Sequence, residues 1–304
     1  MLIAFIGGGN MATALISGLV NPPRAHIKIR VSDPNQAARD HLRSTFRIET
    51  FTDSITAVEG ADVILLAIKP QIMPVVLDQL KGHVKPGQLV LSIAAGTTIG
   101  MIREHLGSDI DVIRSMPNTP ALIGHGITGV VAGTSCSREQ RRQAEEILMA
   151  AGDVVWLDDE GLMDAVTAVS GSGPAYFFLV MEAMVAAARD LGLAAETVHL
   201  LTLQTALGAS RMALESSEPP ETLPAIELGL LSVFQENEHD LMRWSRALIR
   251  LLRRRRISET GTPVLLREAF NSCRFPASKE WVSTCATSRP YCRKSSCSFR
   301  GIRE

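Results

Sequence analysis

Leu-Ile-Ala-Phe-Ile-Gly-Gly-Gly-Asn-Met-Ala occupies residues 2–12, and this stretch decides the fold expected for the first half of the chain. An apolar run of strand length meets a cluster of three glycines. From residue 14 to residue 20, apolar side chains then recur at helical spacing. The stretch therefore predicts a buried strand, a tight turn and a helix in immediate succession.

The glycines in this turn follow a known spacing. Gly7, Gly9 and Ala12 fit the pattern G-x-G-x-x-G/A of dinucleotide-binding turns. A glycine at Gly7 permits the tight turn, Gly9 allows close approach of a pyrophosphate, and the small Ala12 permits helix–strand packing. The pattern predicts a bound dinucleotide, and its alternative is a strand–turn–helix corner without a ligand.

Composition favours a cytoplasmic α/β protein with more than one domain. The 304 residues, 46% of them hydrophobic, suffice for a sizeable core and suit two domains better than one. No uninterrupted apolar run reaches the ~18 residues of a membrane span. A basic region typical of signal or transit peptides is missing from the N-terminus, so we expect a cytoplasmic location and no membrane partner.

Charge and cysteine are distributed unevenly along the chain. Residues 1–238 hold 16 Lys and Arg against 27 Asp and Glu, whereas residues 239–304 hold 15 against 5. Four of the five cysteines also lie in this basic tail, spaced 12, 7 and 5 residues apart without a C-x-x-C pair. A metal site is not expected, because the cysteines lack the spacing typical of metal ligands. Nucleic-acid binding is not expected either, because the arginines lack interleaved aromatic residues.

Strands alternate with helices over the first 160 residues. This alternation predicts a doubly wound parallel sheet, in which ligands lie beyond the carboxyl ends of the strands. Residues 7–9, 69–70, 94–96 and 116–120 all follow predicted strands. The predicted strands are residues 2–6, 27–31, 63–68, 89–93, 112–114, 128–131 and 154–157, and the predicted helices include residues 36–45 and 138–150.

The pattern changes after Gly161. Residues 174–191 and 195–214 predict two long helices rich in Ala, Met and Leu. Phe177, Phe178 and Met181 belong to an apolar surface that also includes Met184 and Val185. That surface forms either the core of the helical domain or a dimer interface, and the sequence leaves both open.

Ser-Gly-Ser-Gly-Pro at residues 170–174 marks the junction of the two regions. Ser170 or Ser172 is suited to cap a helix that begins at Pro174. The same helix start has free N–H groups that suit a substrate carboxylate. A cap without any ligand is the alternative.

Five motifs together resemble one family. The chain carries Phe-Ile-Gly-Gly-Gly-Asn-Met-Ala (5–12), Ala-Ile-Lys-Pro-Gln (67–71), Ser-Ile-Ala-Ala-Gly (92–96), Met-Pro-Asn-Thr-Pro (116–120) and Asp-Ala-Val-Thr-Ala-Val-Ser-Gly-Ser-Gly-Pro-Ala-Tyr (164–176). In this order they resemble bacterial pyrroline-5-carboxylate reductases over residues 1–223. The resemblance implies a Rossmann-type domain followed by an all-helical dimerisation domain, and hydride transfer from NAD(P)H to the C=N carbon of 1-pyrroline-5-carboxylate, giving L-proline.

The resemblance also implies roles for individual residues. Thr167 is the candidate that holds the imine nitrogen through a water, and Lys69 is its rival as a catalytic residue. We expect NADPH to be preferred over NADH, although Asp33 follows the second strand, where an acidic residue favours NADH. The implied cofactor residues are Ile6, Gly7, Gly8, Gly9, Asn10, Met11, Ser32, Asp33, Pro34, Ala67, Ile68, Lys69, Pro70, Ala94, Ala95 and Gly96, and the implied substrate residues are Glu160, Thr167, Ser170, Gly171, Ser172 and Gly173.

The chain departs from the family after Leu223. The family continues into a turn of the type Ser-Pro-Gly-Gly-Thr-Thr that holds the substrate carboxylate, whereas this chain reads Pro-Ala-Ile-Glu-Leu-Gly. Either a change of reading frame in the gene or a real variation accounts for the difference. The expected domains are residues 1–160, a truncated helical domain at 161–238, and a poorly ordered basic tail at 239–304.

Two alternative functions follow from these observations. The first is a protein that binds nucleotide but is catalytically impaired, because the substrate loop is missing. The second is a β-hydroxy acid dehydrogenase, which normally carries a catalytic lysine in a long helix of its second domain. Residues 171–223 contain no lysine, which argues against the second alternative.

Overall fold

An eight-stranded sheet lies at the centre of the first 156 residues. The structure is a computed structural model and describes residues 1–22, 24–219 and 222. The expectations for the substituted loop after Leu223 and for the basic tail lie outside the described residues. The strands are β1 (Leu2–Ile6), β2 (Lys28–Ser32), β3 (Glu49–Phe51), β4 (Val63–Leu66), β5 (Leu89–Ser92), β6 (Asp111–Met116), β7 (Gly126–Ala132) and β8 (Gly152–Trp156).

The sheet is doubly wound. Its strand order is β3-β2-β1-β4-β5-β6-β7-β8, so the chain reverses its direction of travel between β1 and β4. A ligand crevice forms at such a reversal, beyond the carboxyl ends of the strands. The helices are α1 (Asn10–Val20), α2 (Gln36–Phe46), α3 (Ser54–Val58), α4 (Met73–Leu80), α5 (Ile99–Leu106), α6 (Arg138–Leu148), α7 (Met163–Val166), α8 (Gly173–Asp190) and α9 (Ala195–Glu215).

Helices cover both faces of the sheet and form two apolar cores. One core packs α1, α2 and α6 against the sheet, and the other packs α3, α4 and α5 against the opposite face. Every residue of β4 is fully buried, as a parallel strand covered on both faces requires. The α/β prediction with a Rossmann-type sheet and a helical region after it is confirmed.

The structure differs from the sequence prediction in several elements. β7 runs antiparallel to β6, whereas the other neighbouring strands are parallel, so the sheet is not entirely parallel. β3, α3 and α4 were not predicted. β3 has only three residues, and α3 only five, which is too short for a clear periodic pattern.

The junction at residues 160–173 also differs from prediction. A continuous helical run extends over Glu160–Asp190, with a π-helical turn at Thr167–Gly171. Since the run begins thirteen residues before α8, the expected free helix start at Pro174 does not exist. The predicted serine cap is wrong: Ser172 makes no side-chain capping bond, and the Ser170 hydroxyl donates to the Val166 carbonyl at 2.9 Å.

Helices α8 and α9 pack against each other and leave a large apolar surface exposed. Phe177 and Phe178 are 63% and 64% exposed, and Leu200, Leu201 and Leu203 are also more than half exposed. The run Glu160–Asp190 is long and apolar enough to cross a membrane by length and composition alone. This helix was not expected from the sequence, where only uninterrupted apolar runs were considered, because charged residues interrupt its apolar sequence. The core helix of a water-soluble protein passes the same test.

Candidate active site

The glycine turn lies at the carboxyl end of β1, in the middle of the sheet. Gly7 adopts φ +102°, a left-handed conformation that favours glycine. A Cβ at Gly7 would lie 2.5 Å from the carbonyl oxygen of Ala67, which follows β4. The Gly7 amide donates to the Ser32 carbonyl, and the Ala67 amide donates to the Ile6 carbonyl, both at 2.8 Å. The turn is therefore fixed between the ends of β2 and β4.

Gly9 faces open space in front of α1. A Cβ built on Gly9 meets no atom within 4 Å, so the chain itself does not require a glycine there. Gly9 is the N-cap of α1 and offers no capping side chain, which leaves first-turn amides available to an external anion. Open space above a glycine, beside uncapped amides, fits a pyrophosphate, so these residues suit a dinucleotide.

The turn after β2 contacts the glycine turn directly. Asp33 accepts the Gly8 amide through Oδ2 and the Asn35 amide through Oδ1, both at 2.8 Å. Arg39 donates through Nη1 to the carbonyls of Asp33 (2.6 Å) and Pro34 (3.0 Å). The Asp33 carboxylate therefore joins the glycine turn to the loop after β2.

The ends of β4 and β5 border the same crevice with different side chains. Lys69 is exposed and begins a 3-10 turn at Pro70–Ile72 without a side-chain capping bond. Among the described residues, the Lys69 ammonium has no hydrogen-bond or ion-pair partner. Ala94 is buried, whereas Ala95 and Gly96 are exposed, and Gly96 adopts φ +70°. The backbone at residues 95–96 is thus accessible from solvent.

The end of β6 contacts the Ser-Gly-Ser-Gly segment. Asn118 donates through Nδ2 to the Ser170 carbonyl at 3.2 Å and accepts the Ile127 amide at 3.0 Å. A Cβ at Gly171 would lie 2.7 Å from Cε of Met116, so the segment packs directly against the end of that side chain. Two motifs separated by about 50 residues in the sequence therefore meet at the carboxyl edge of the sheet.

Comparison with known proteins identifies the family. The chain is 49% identical to pyrroline-5-carboxylate reductase from Pseudomonas aeruginosa over 221 residues, which span 73% of this chain and 81% of that relative. The chain belongs to the pyrroline-5-carboxylate reductase family. A Haemophilus influenzae member is 41% identical over 217 residues, covering 71% of this chain and 80% of that protein.

Family models and solved structures agree with this assignment. Residues 160–226 match the model described as pyrroline-5-carboxylate reductase dimerisation, and residues 2–96 match that of NADP oxidoreductase, coenzyme F420-dependent. The Coxiella burnetii reductase structure has a TM-score of 0.71 at 35% identity, covering 83% of this chain and 97% of that one. A Plasmodium falciparum reductase with NADP bound covers the same shares, with a TM-score of 0.65 at 26% identity.

Glu160, one of the substrate residues that the resemblance implies, has two partners within the chain. Its Oε1 accepts the Ile99 amide at 2.9 Å and the Arg114 Nη1 at 3.0 Å. The Arg114 side chain is 5% exposed and that of Glu160 is 30% exposed. Asp164 lies 4.0 Å from Arg114 but is almost fully exposed. Glu160 therefore connects β6, the start of α5 and the helix that carries Thr167.

Thr167 lies at the start of the π-helical turn and is partly exposed. Its hydroxyl donates to the Met163 carbonyl at 2.9 Å, so the lone pairs of Oγ1 remain as acceptors. The Ser172 amide donates to the Thr167 carbonyl at 2.8 Å, which closes the wide turn. Any ligand that bonds Thr167 in this rotamer has to supply the hydrogen.

Sequence reasoning did not single out two residues of this region. Arg114 is an arginine inside a buried strand, and its position directly after Val112 and Ile113 was the available signal. Asn118 was quoted as part of a motif but given no role. Its amide bridges the Ser170 carbonyl and the Ile127 amide, a pairing that depends on how the strands are ordered in space.

Proposed function

We propose that this chain reduces 1-pyrroline-5-carboxylate to L-proline with NADPH as its preferred hydride donor and NADH as a poorer one. The observation that carries the proposal is the contact between β6 and the Ser-Gly-Ser-Gly segment, through Asn118 and Met116. It brings the implied substrate residues to the edge of the sheet that bears the glycine turn. The cofactor, when bound, supplies a hydride.

The chain's own residues then have to orient the ligands and exclude water. The reaction forms a C–H bond at the imine carbon, and the C=N π electrons become the nitrogen lone pair once the nitrogen is protonated. A protonated imine accepts hydride without a further strong acid, because its carbon is already electrophilic. Positioning therefore accounts for most of the catalysis that the protein contributes.

Thr167 is suited to hold the protonated imine. An iminium N–H is a donor, and Oγ1 of Thr167 is restricted to accepting because its own hydrogen bonds the Met163 carbonyl. A direct bond to Thr167 thus favours the protonated substrate over the neutral one. A water between them would donate to Oγ1 and accept the iminium N–H. Lys69 is exposed and lacks a described partner, which suits a role in contacting cofactor phosphate or substrate carboxylate more than a role in holding the imine.

The exposed apolar surface of α8 and α9 supports a homodimer or higher homo-oligomer. Phe177 and Phe178 present two aromatic side chains that are almost two thirds exposed. Apolar patches of this kind mark interfaces in water-soluble proteins. The relatives bear the name of a biosynthetic enzyme, and we propose a cytoplasmic location with a small-molecule substrate and no membrane or nucleic-acid partner.

A steady-state assay tests the proposal. NADPH oxidation is followed at 340 nm with and without 1-pyrroline-5-carboxylate, and the product is identified as L-proline by chromatography. Substrate-dependent oxidation with stoichiometric proline is the expected result. The sequence after Leu223 favours one alternative, a protein that binds NADPH but turns over very slowly. Tight NADPH binding without proline formation would establish that alternative.

A further inference from the structure

The carboxylate of Asp33 has both oxygens bonded to backbone amides of two different loops. We infer that Asp33 is a positioning residue, which holds the glycine turn in its phosphate-binding conformation and does not select between NADH and NADPH. The inference rests on the proposed dinucleotide site. It concerns the one acidic side chain whose place after β2 predicts a preference for NADH.

The hydrogen bonds show what Asp33 holds. Oδ2 accepts the amide of Gly8, the middle glycine of the turn, and Oδ1 accepts the amide of Asn35. Gly8 also lies close to α2, because a Cβ there would be 2.7 Å from Cδ1 of Leu42. The Asp33 amide donates to the Phe51 carbonyl at 3.1 Å, which anchors the residue to β3. Asp33 therefore connects the glycine turn to β3, through its carboxylate on one side and its backbone amide on the other.

This arrangement differs from that of a ribose-selecting carboxylate. An aspartate or glutamate that favours NADH directs its oxygens at the ribose 2′-OH, and its charge repels a 2′-phosphate. Here two amides, at 2.8 Å each, already solvate the carboxylate charge. Arg39 adds a positive charge to the same turn, with Nη1 2.6 Å from the Asp33 carbonyl oxygen. The turn consequently carries no net charge that would exclude a 2′-phosphate.

Two substitutions at Asp33 separate the positioning role from the ribose role. Asp33→Asn leaves one oxygen where two amides need acceptors. Asp33→Glu keeps the charge but moves the carboxylate by the length of one methylene, so that it no longer lies 2.8 Å from the Gly8 and Asn35 amides. Because Glu and Asp are interchangeable as ribose ligands, a selective residue tolerates Asp33→Glu. A positioning residue does not.

The experiment measures Kd for NADH and NADPH in the full-length chain by quenching of intrinsic fluorescence. We expect both variants to raise both Kd values by about tenfold, with the NADPH/NADH ratio unchanged within a factor of about three. Asp62→Asn is the matched control: Asp62 accepts the Leu2 amide at 2.7 Å, at the opposite end of β1. Its Kd values should equal those of the wild type.

A spectroscopic readout tests the contact without relying on affinity. The Gly8 amide, donating to a carboxylate, should resonate downfield in the ¹H–¹⁵N spectrum and move upfield by several tenths of a ppm in Asp33→Asn, while the Asp62→Asn spectrum keeps it in place. Circular dichroism tests whether the variants are folded. If Asp33→Asn does not fold, Asp33→Glu takes its place in the comparison.

Three results would overturn the inference. One is a shift of the NADPH/NADH ratio by tenfold or more in Asp33→Asn, as a ribose ligand requires. Another is wild-type affinity for both cofactors in both variants. The third is an unchanged Gly8 amide signal. The wild-type titration separates failure of this inference from failure of the proposed function. A wild-type chain that binds neither cofactor refutes the dinucleotide site before any variant is measured.

Discussion

Removing the Glu160 carboxylate should destabilise the chain more than removing any exposed carboxylate. Oε1 of Glu160 accepts two N–H groups, from Ile99 at 2.9 Å and from Arg114 at 3.0 Å. In Glu160→Ala, Arg114, whose side chain is 5% exposed in the intact chain, loses its close partner, and Asp164 at 4.0 Å is too exposed to replace it. A buried unpaired charge costs several kcal/mol, reduced here because Glu160 is 30% exposed.

We therefore expect Glu160→Ala to lower the free energy of unfolding by about 3 kcal/mol. Glu160→Gln keeps an acceptor oxygen and loses only the charge, so its expected loss is about 1 kcal/mol. Arg114→Met combined with Glu160→Met removes both charges and should cost less than the sum of the single changes. The Arg30–Glu49 pair provides the control: Glu49 is 68% exposed, and Glu49→Ala should cost at most about 0.5 kcal/mol.

Urea unfolding followed by far-ultraviolet circular dichroism measures these differences. All variants are compared at one protein concentration, because self-association would add concentration-dependent stability. If Glu160→Ala is no more destabilising than Glu49→Ala, the connection between β6, α5 and the Thr167 helix contributes nothing to stability. If the double variant costs the full sum of the single changes, the two charges are not coupled.

Three further predictions concern the two binding regions and the helical surface. Gly9→Val should abolish NADPH binding without changing the unfolding midpoint, since a Cβ there meets nothing, whereas Gly7→Ala should unfold at lower urea because of its φ of +102° and the nearby Ala67 oxygen; retained affinity in folded Gly9→Val would refute the turn as the phosphate site. Thr167→Ala should lower kcat for 1-pyrroline-5-carboxylate by at least about tenfold with an unchanged Kd for NADPH, and Thr167→Ser should recover most of the rate; equal losses in both measurements would remove Thr167 from the mechanism. Replacing Phe177 and Phe178 together by Ser should shift the chain to a smaller species in sedimentation velocity, and an unchanged sedimentation coefficient would locate the interface elsewhere.

The fold of the first half was predictable because its signals are local. Buried parallel strands such as Val63–Leu66 are continuous apolar runs, and the glycine turn combines φ requirements with a strand before it and a helix after it. β3 escaped prediction, since three residues, Glu-Thr-Phe, show no alternation that distinguishes a strand from a loop. The antiparallel direction of β7 depends on the short connection between Met116 and Gly126, which contains the 3-10 turn Thr119–Ile123. The periodicity of the strand does not reveal this direction.

The meeting of the candidate residues was predictable, but their bonds were not. Strand ends indicated that these residues share one edge of the sheet, because parallel strands bring their carboxyl ends together. The Asp33–Gly8 and Glu160–Ile99 bonds depend on side-chain direction and join residues that are 25 and 61 positions apart along the chain. The serine cap failed for a related reason: residues 160–172 already form helix, so Ser170 and Ser172 lie inside a helical run and not at its start.

The π-helical turn at Thr167–Gly171 also determines which way α8 faces. Its bond from the Ser172 amide to the Thr167 carbonyl spans five residues, one more than an α-helical bond. One added residue changes the angular phase of everything after it by about 100°. A single residue therefore sets the angle about the helix axis between the Phe177–Phe178 pair and the hydroxyl of Thr167. Deleting Ala168 would remove the extra residue of this turn and rotate the exposed apolar face of α8 by more than a quarter of a circle relative to Thr167.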